Sequence, residues 1–237
     1  MTGIDTIGFS FPCTTGYVPC LELPGGGFVR VTYGTAWFEA SIPKRLNDDG
    51  TNVVLATSDA AKSETIAMIN EAKTVLSIAV PPLSEVRICR LDVTQDFVTM
   101  WDIPRILFSI MTNPCSTKHP KFHHYGTVPN LETLYMGPKR AWHLCVYDKG
   151  LQSAVLGPQG LLRFEARLRR SALCRNWVRS VTGPLDFVDE LHDSKVELLL
   201  RTVVSRVGLG DSLPIAFADV GSFYEIDWSL GEVDAYF

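Results

Sequence analysis

The chain lacks the patterns that mark several protein classes. Its six cysteines are scattered, with no CxxC pair and no zinc-ligand spacing, so a zinc or dithiol redox centre is not expected. No apolar stretch is long enough to cross a bilayer, and the N-terminus has no basic segment followed by an apolar one. We therefore expect a reduced, cytoplasmic protein that does not contact a membrane.

Positive charge is also scarce, because the net charge of the 237 residues is −4. A domain that embraces duplex DNA is usually basic overall, so any binding of nucleic acid must depend on a local patch. Residues 163–179 hold six arginines and one acid, Glu165. This run predicts either a functional basic patch or a solvated strand edge and helix face, and the composition does not separate the two.

The apolar periodicity predicts an α+β protein. Alternation indicates strands at 4–11, 28–33, 36–42, 85–97, 133–136, 141–147 and 161–169. Helical spacing indicates helices at 60–78, 99–111, 171–181 and 184–207. Residues 13–27 and 112–130 predict loops, because the first is rich in Pro, Gly and Thr and the second is polar.

The order of these elements predicts antiparallel sheet, in one or two sheets, with helices packed on one face. Two ferredoxin-like αβ halves, at about 1–97 and 98–180, fit this order. Helical residues 181–237 then follow as a C-terminal segment.

Three strands each combine an apolar side with a side that carries ionisable groups, since alternate side chains point to opposite faces. If they share one sheet, the polar side collects Arg90, Asp92, His143, Tyr147, Lys149, Arg163, Glu165 and Arg167. Carboxylates can hold Mg²⁺ or Mn²⁺, a metal ion can polarise a phosphodiester, and a tyrosine can attack phosphorus. The same alternation also fits a solvated sheet face with ordinary surface ion pairs.

Four segments in order resemble the replication initiators of filamentous phages and related plasmids, the gene II/gene X family. They are Ala-Ser-Ile-Pro-Lys at 40–44 followed by Gly50 and Asn52, Cys-Arg-Leu-Asp-Val-Thr at 89–94, Leu-Cys-Val-Tyr-Asp-Lys at 144–149, and Leu-Arg-Phe-Glu-Ala-Arg at 162–167. The resemblance spans about residues 1–180 and implies that these form a catalytic nicking domain. The chain is shorter than a full-length member of that family.

The resemblance implies a rolling-circle endonuclease and strand-joining enzyme that works in the cytoplasm of a bacterial host. Tyr147 is implied to attack the DNA backbone, forming a 5′-phosphotyrosine and releasing a 3′-hydroxyl. Lys149 is implied to lie beside the scissile phosphate, and Asp92 and Glu165 are implied to bind Mg²⁺ or Mn²⁺. The expected DNA contacts are Arg90, Arg163, Arg167 and Lys44. The expected partners are the replication origin, as supercoiled duplex and single strand, and the host helicase and single-strand-binding protein.

Histidine does not supply the metal site that many rolling-circle nickases have. The histidine-hydrophobic-histidine motif of those enzymes is absent, and His119, His123 and His124 are expected to be loop residues rather than ligands.

Two other functions stay open from the sequence. The first is a non-catalytic module that binds single-stranded nucleic acid on an exposed sheet face, with aromatic side chains as stacking platforms. The second, more distant, is a cysteine hydrolase that uses Cys115 or Cys145 with a histidine, although a cysteine within a strand is usually a packing residue.

Overall fold

A computed structural model describes residues 2–47, 54–99, 102–112, 122–128, 130–153 and 160–209 of the chain. The strands are β1 Thr2–Pro12, β2 Val18–Glu22, β3 Phe28–Thr32, β4 Thr35–Ser41, β5 Arg87–Thr99, β6 Phe122–Thr127, β7 Asn130–Met136, β8 Trp142–Asp148 and β9 Gly160–Arg169. The helices are α1 Ile42–Leu46, α2 Ser58–Leu76, α3 Ile103–Thr112, α4 Lys149–Ser153, α5 Arg170–Leu173, α6 Asn176–Thr182 and α7 Asp193–Arg206. Short 3-10 turns occupy Leu83–Glu85 and Val188–Glu190.

The nine strands form one antiparallel sheet in the order β2-β3-β4-β1-β5-β9-β8-β7-β6. Strands adjacent in the chain pair as hairpins at β3–β4, β6–β7 and β7–β8. The predicted α+β class with an antiparallel sheet is therefore confirmed. Among the described residues, no helix combines the length and the apolar character needed to cross a membrane.

The chain divides into two compact units. The N-terminal unit comprises residues 2–93 and 167–199, and the central unit comprises residues 94–166 together with the described residues 200–209. Strand β5 is divided between the two units, and so is strand β9. The division predicted from the sequence, 1–180 with halves near residue 97 and a segment 181–237, stays a prediction.

In the N-terminal unit, β1 is buried along almost its whole length. Its sequence alternates apolar residues with small or polar ones, as at Phe9 and Ser10, yet both sides of the strand are covered. Phe9 of β1 stacks on Phe38 of the neighbouring β4, with ring centroids 4.7 Å apart. Helix α2 packs against β1, and it begins where the Thr57 side chain accepts a hydrogen bond from Ala60 N.

Arg45 connects three elements of the N-terminal unit. Its guanidinium donates to Glu64 at 2.8 Å and to Glu71 at 2.6 Å, both on α2, and to the carbonyl of Gly26. The side chain is only 3 % exposed. Burial opposes the charge, but the hydrogen bonds to the two glutamates outweigh it and hold the pKa of Arg45 above its usual value.

In the central unit, α3 lies against β7 and β8. Its buried side chains are Ile103, Ile106, Leu107 and Ile110. Gly126, at φ +90°, allows the tight end of the β6–β7 hairpin, because a Cβ there would collide with the carbonyl oxygen of Asn130.

Four predicted elements differ from the structure, the first being the helix predicted at 171–181, which is two short helices, α5 and α6. Loop 13–27 contains strand β2, and the polar loop 112–130 contains strand β6, so His123 and His124 are strand residues and not loop residues. Both strands belong to hairpins, and pairing with β3 or β7 supplies the order that the composition of these two segments does not predict. The helix predicted at 184–207 begins only at Asp193, after a 3-10 turn. His119 lies outside the described residues.

We predict that Arg45→Leu destabilises the protein by about 2–3 kcal/mol, because it leaves two half-buried carboxylates without their cation. Arg105→Leu is the matched control, since Arg105 is 74 % exposed on α3, and it should change stability by less than about 0.5 kcal/mol. Urea unfolding of both variants measures the difference, and equal losses would show that the Arg45 pairs contribute nothing specific.

Candidate active site

The central unit brings Tyr147 and Glu165 into direct contact. Tyr147 is on β8 and Glu165 is on β9, which are neighbours in the sheet. The phenol donates a hydrogen bond to Glu165 Oε2 at 2.8 Å. Tyr147 is 4 % exposed and Glu165 is 2 % exposed. A phenol with its proton held by a buried carboxylate is a chemically competent arrangement for a tyrosine nucleophile.

Lys149 is the first residue of α4 and not a strand residue. Strand β8 ends at Asp148, so the strand alternation that put Lys149 on the face of Tyr147 does not extend to it. This is a correction to its predicted placement. Lys149 is buried, with 4 % of its surface exposed, two positions beyond Tyr147. Its predicted role beside a scissile phosphate stays a prediction.

Arg163 forms a buried ion pair with Asp96, also within the central unit. The guanidinium donates through Nε and a terminal nitrogen to the two carboxylate oxygens, both at 2.6 Å. The Arg163 side chain is fully buried, while that of Asp96 is 15 % exposed. Because Asp96 neutralises it, Arg163 adds no net positive charge to the protein surface. Its predicted contact with DNA stays a prediction.

In the N-terminal unit, Arg90 pairs with Asp92. Arg90 Nε lies 3.0 and 3.1 Å from the carboxylate oxygens of Asp92, whose side chain is fully buried. Arg90 also pairs with Glu39, and Arg169 approaches the same glutamate at 3.6 Å. Burial opposes the charge of Arg90, but the hydrogen bonds to Asp92 and the charge of Glu39 raise its pKa.

The remaining predicted DNA contacts also belong to the N-terminal unit. Lys44 is exposed on α1, and Arg167 is half-buried on β9. Asn52 and Gly50 lie outside the described residues.

Several arginines of the run 163–179 form intramolecular pairs. Arg170 and Arg179 both pair with Asp186, at 3.3 and 2.5 Å. Together with the pairs of Arg163 and Arg169, these contacts neutralise part of the run, since Asp186 is shared by two arginines. The basic patch suggested by the sequence is therefore weaker than its composition indicates.

The predicted metal ligands supply the right kind of atom for Mg²⁺, since carboxylate oxygens are its usual protein ligands. Within the described part of the chain, however, no three His, Cys, Asp or Glu side chains gather where they could hold an ion. The described residues therefore do not complete a metal site. The roles of Asp92 and Glu165 as ligands stay predictions.

The cysteine hydrolase finds little support in these contacts. Cys145 is a buried residue of β8, with 1 % of its surface exposed, as expected for a cysteine that packs in a strand. Cys115 lies outside the described residues.

Asp96 and the tyrosines of β6 and β7 were not singled out from the sequence. Asp96 lies four residues after Asp92 on the same strand, so strand alternation placed it on the same side. Tyr125 and Tyr135 had no such signal, because Tyr125 fell in a segment predicted as loop. Register with β7 and β8 now places them on a common face.

Comparison with known proteins identifies no family. No protein-family model matches the chain, and no curated protein sequence matches it. Among solved structures, it is similar to a rolling circle replication initiator protein from Geobacillus stearothermophilus, at 17 % identity and a TM-score of 0.40, over 90 % of this chain and 80 % of that one. It is also similar to TBP of Methanococcus jannaschii, at 10 % identity and a TM-score of 0.38, over 69 % and 86 %. Scores this low carry no argument about fold or function.

We predict that Asp96→Asn destabilises the protein by on the order of 3 kcal/mol, because it removes a carboxylate that pairs with the fully buried guanidinium of Arg163. Glu132→Gln removes an exposed carboxylate from β7 in the same unit and serves as the matched control, with a change below about 0.5 kcal/mol. Thermal and urea unfolding measure both. A loss for Asp96→Asn no larger than for the control would mean that water or another group compensates Arg163.

Proposed function

We propose that the chain is a DNA-nicking and strand-joining enzyme of rolling-circle replication, with Tyr147 as its nucleophile. The observation that carries the proposal is the 2.8 Å hydrogen bond from the Tyr147 hydroxyl to Glu165. These two residues also lie in segments 144–149 and 162–167, through which the sequence resembles the gene II/gene X family. The geometry and the resemblance thus support the same pair independently.

In this mechanism Tyr147 Oη attacks a backbone phosphorus while its proton passes to the Glu165 carboxylate. The bond from phosphorus to the 3′-oxygen breaks, and that oxygen takes a proton from water to become a free 3′-hydroxyl. The 5′ end of the strand stays on Tyr147 as a phosphotyrosine. Attack by a 3′-hydroxyl on this ester reverses the step, joins the strand and restores the phenol.

Lys149 has a supporting role in the proposal. A lysine two positions from the nucleophile carries a positive charge that favours the anionic phosphoryl group in the transition state. Lys149 is buried, so little water screens that charge.

The burial of Tyr147 sets a condition on this mechanism. A phosphorus atom must touch Tyr147 Oη for attack, yet only 4 % of this residue is exposed. DNA binding must therefore be accompanied by exposure of the phenol. The same burial favours a second candidate, a non-catalytic module that binds single-stranded nucleic acid and uses the Tyr147–Glu165 hydrogen bond only for stability.

We predict that Tyr147→Phe abolishes the covalent protein–DNA adduct formed on supercoiled origin DNA, a loss of at least about 10³-fold. Denaturing gel electrophoresis of labelled DNA measures the adduct. Tyr125→Phe is the matched control, because Tyr125 is an exposed tyrosine of the same unit, and it should keep the adduct.

Two outcomes would contradict this assignment. An adduct that persists in Tyr147→Phe would exclude Tyr147 as nucleophile. DNA binding by the wild type without an adduct, on DNA that contains the cognate origin, would favour the non-catalytic module. Circular dichroism of Tyr147→Phe checks that the fold is retained, since the variant leaves a buried carboxylate without one donor, at a cost of about 1–3 kcal/mol.

We further propose that the reaction needs Mg²⁺ or Mn²⁺. Removal of divalent ions with a chelator should abolish the adduct, and either ion should restore it. If Glu165 is a metal ligand, Glu165→Gln raises the Mg²⁺ concentration for half-maximal rate at least about tenfold. If Glu165 is only the proton acceptor of Tyr147, the same variant lowers the rate at all Mg²⁺ concentrations. Asp92→Asn tests the predicted role of Asp92 in the same titration. Full activity in the chelator would exclude the metal.

The origin sequence, the host helicase and the single-strand-binding protein stay predictions as partners. They come from the family resemblance, and no contact in the protein bears on them.

A further inference from the structure

Strands β6, β7 and β8 align a set of aromatic side chains on one face of the central unit. In the register, Tyr125 lies opposite Thr133, which lies opposite Tyr147. Two residues further along, His123 lies opposite Tyr135, which lies opposite Cys145. Because positions two apart on a strand share a face, all these residues point to the same side as the proposed nucleophile.

Three of the rings on this face are close to one another. The centroids of Tyr125 and Tyr135 are 5.9 Å apart with the planes at 71°, and Tyr135 is 5.9 Å from His143 at 51°. We call Tyr125, Tyr135 and His143 the aromatic row. Tyr125 is 62 % exposed, and the other two are half-buried. An exposed tyrosine on a sheet presents a flat apolar surface that can stack on a planar ligand.

Cations border the aromatic row at the turn between β7 and β8. Lys139 Nζ lies 4.7 Å from the centre of the Tyr135 ring, and both Lys139 and Arg140 are exposed. The exposed acid on β7 is Glu132, so positive charge exceeds negative charge along this border. Gly137, at φ +105°, lets this turn close against the ring of Trp142, where a Cβ would collide.

From this arrangement we propose that the aromatic row binds unpaired bases of a single DNA strand, while Lys139 and Arg140 hold its phosphates. Rings that stack bases next to cations that track the backbone are the general means of binding single strands. Tyr125 is two strands away from Tyr147, about 10 Å at the usual strand spacing. A DNA strand bound on the aromatic row therefore lies close to the proposed nucleophile. This inference rests on the proposed function in one respect, that the bound strand is the substrate of Tyr147.

Unpaired DNA fits the row better than the alternatives do. In a duplex the base faces are already stacked on one another, so they offer no surface to Tyr125 or Tyr135. A protein partner could cover the exposed ring of Tyr125, but it does not account for Lys139 over the Tyr135 ring and a second exposed cation, Arg140, next to it in the chain.

Binding can be measured in the full chain carrying Tyr147→Phe, in which no adduct forms. The probe is a fluorescein-labelled single-stranded oligonucleotide of mixed sequence, followed by fluorescence anisotropy. Tyr125→Ala and Tyr135→Ala should each raise Kd by about 5- to 100-fold, the range for loss of one stacked base. Tyr125→Phe keeps the ring and should keep the affinity. Lys139→Gln should lower the slope of log Kd against log salt by about 0.7.

The matched control is Tyr17→Ala, because Tyr17 is 74 % exposed in the other unit. Its Kd should equal that of the parent. Equal affinity in all the alanine variants, an equal loss in Tyr17→Ala, or a preference for duplex over single strand would each overturn the proposal. Altered self-association of Tyr125→Ala on gel filtration, with unchanged Kd, would reassign the row to a protein contact.

The outcome is separable from that of the nicking assay. Loss of oligonucleotide binding in the row variants, with no adduct in the wild type, would support the aromatic row as a binding site and exclude Tyr147 as nucleophile. An adduct in the wild type, together with unchanged oligonucleotide binding in the row variants, would support Tyr147 as nucleophile and exclude the aromatic row as the binding site.

Discussion

The interaction on which much of this structure depends is the pairing of ionisable side chains that the sheet buries. Arg163 and Asp96 in the central unit, and Arg90 and Asp92 in the N-terminal unit, place full charges where little water reaches them. An isolated charge in such a place costs several kcal/mol, so each partner fixes the position of the other. Strands β5 and β9 carry these partners, and the pairs thus constrain how the strands present their polar sides.

This constraint also decides between two interpretations of the polar alternation. A solvated sheet face would leave Asp92, Glu165 and Arg163 exposed, with weak ion pairs. All three are almost completely buried. Burial excludes the solvated interpretation for these residues, but it does not by itself make them catalytic, because structural ion pairs are buried in the same way. What distinguishes Glu165 is that it accepts a hydrogen bond from a phenol.

The sequence predicted the strands with apolar alternation well, because β5, β8 and β9 each contain a regular apolar side. It missed β6, whose sequence from Phe122 to Thr127 is polar and contains Gly126, and whose order comes from pairing with β7. Likewise, the alternation of β8 predicted Lys149 as a strand residue, but the chain turns into α4 there. Period-two alternation fixes which side of a strand a residue takes. It contains no information about where the strand ends or what covers it.

The same limit explains why Tyr147 could be identified from the sequence while its surroundings could not. Alternation placed the tyrosine on a polar side together with seven other residues, and the resemblance to known initiators selected it from that set. Neither shows that its one hydroxyl proton is donated to Glu165, a contact between residues 18 positions apart. A phenol has a single proton to give, so in the proposed mechanism Glu165 is the group that would receive it. If the phenol is the nucleophile, its activation therefore depends on the register of β8 against β9, and a shift of that register by one residue would turn Tyr147 or Glu165 to the opposite face.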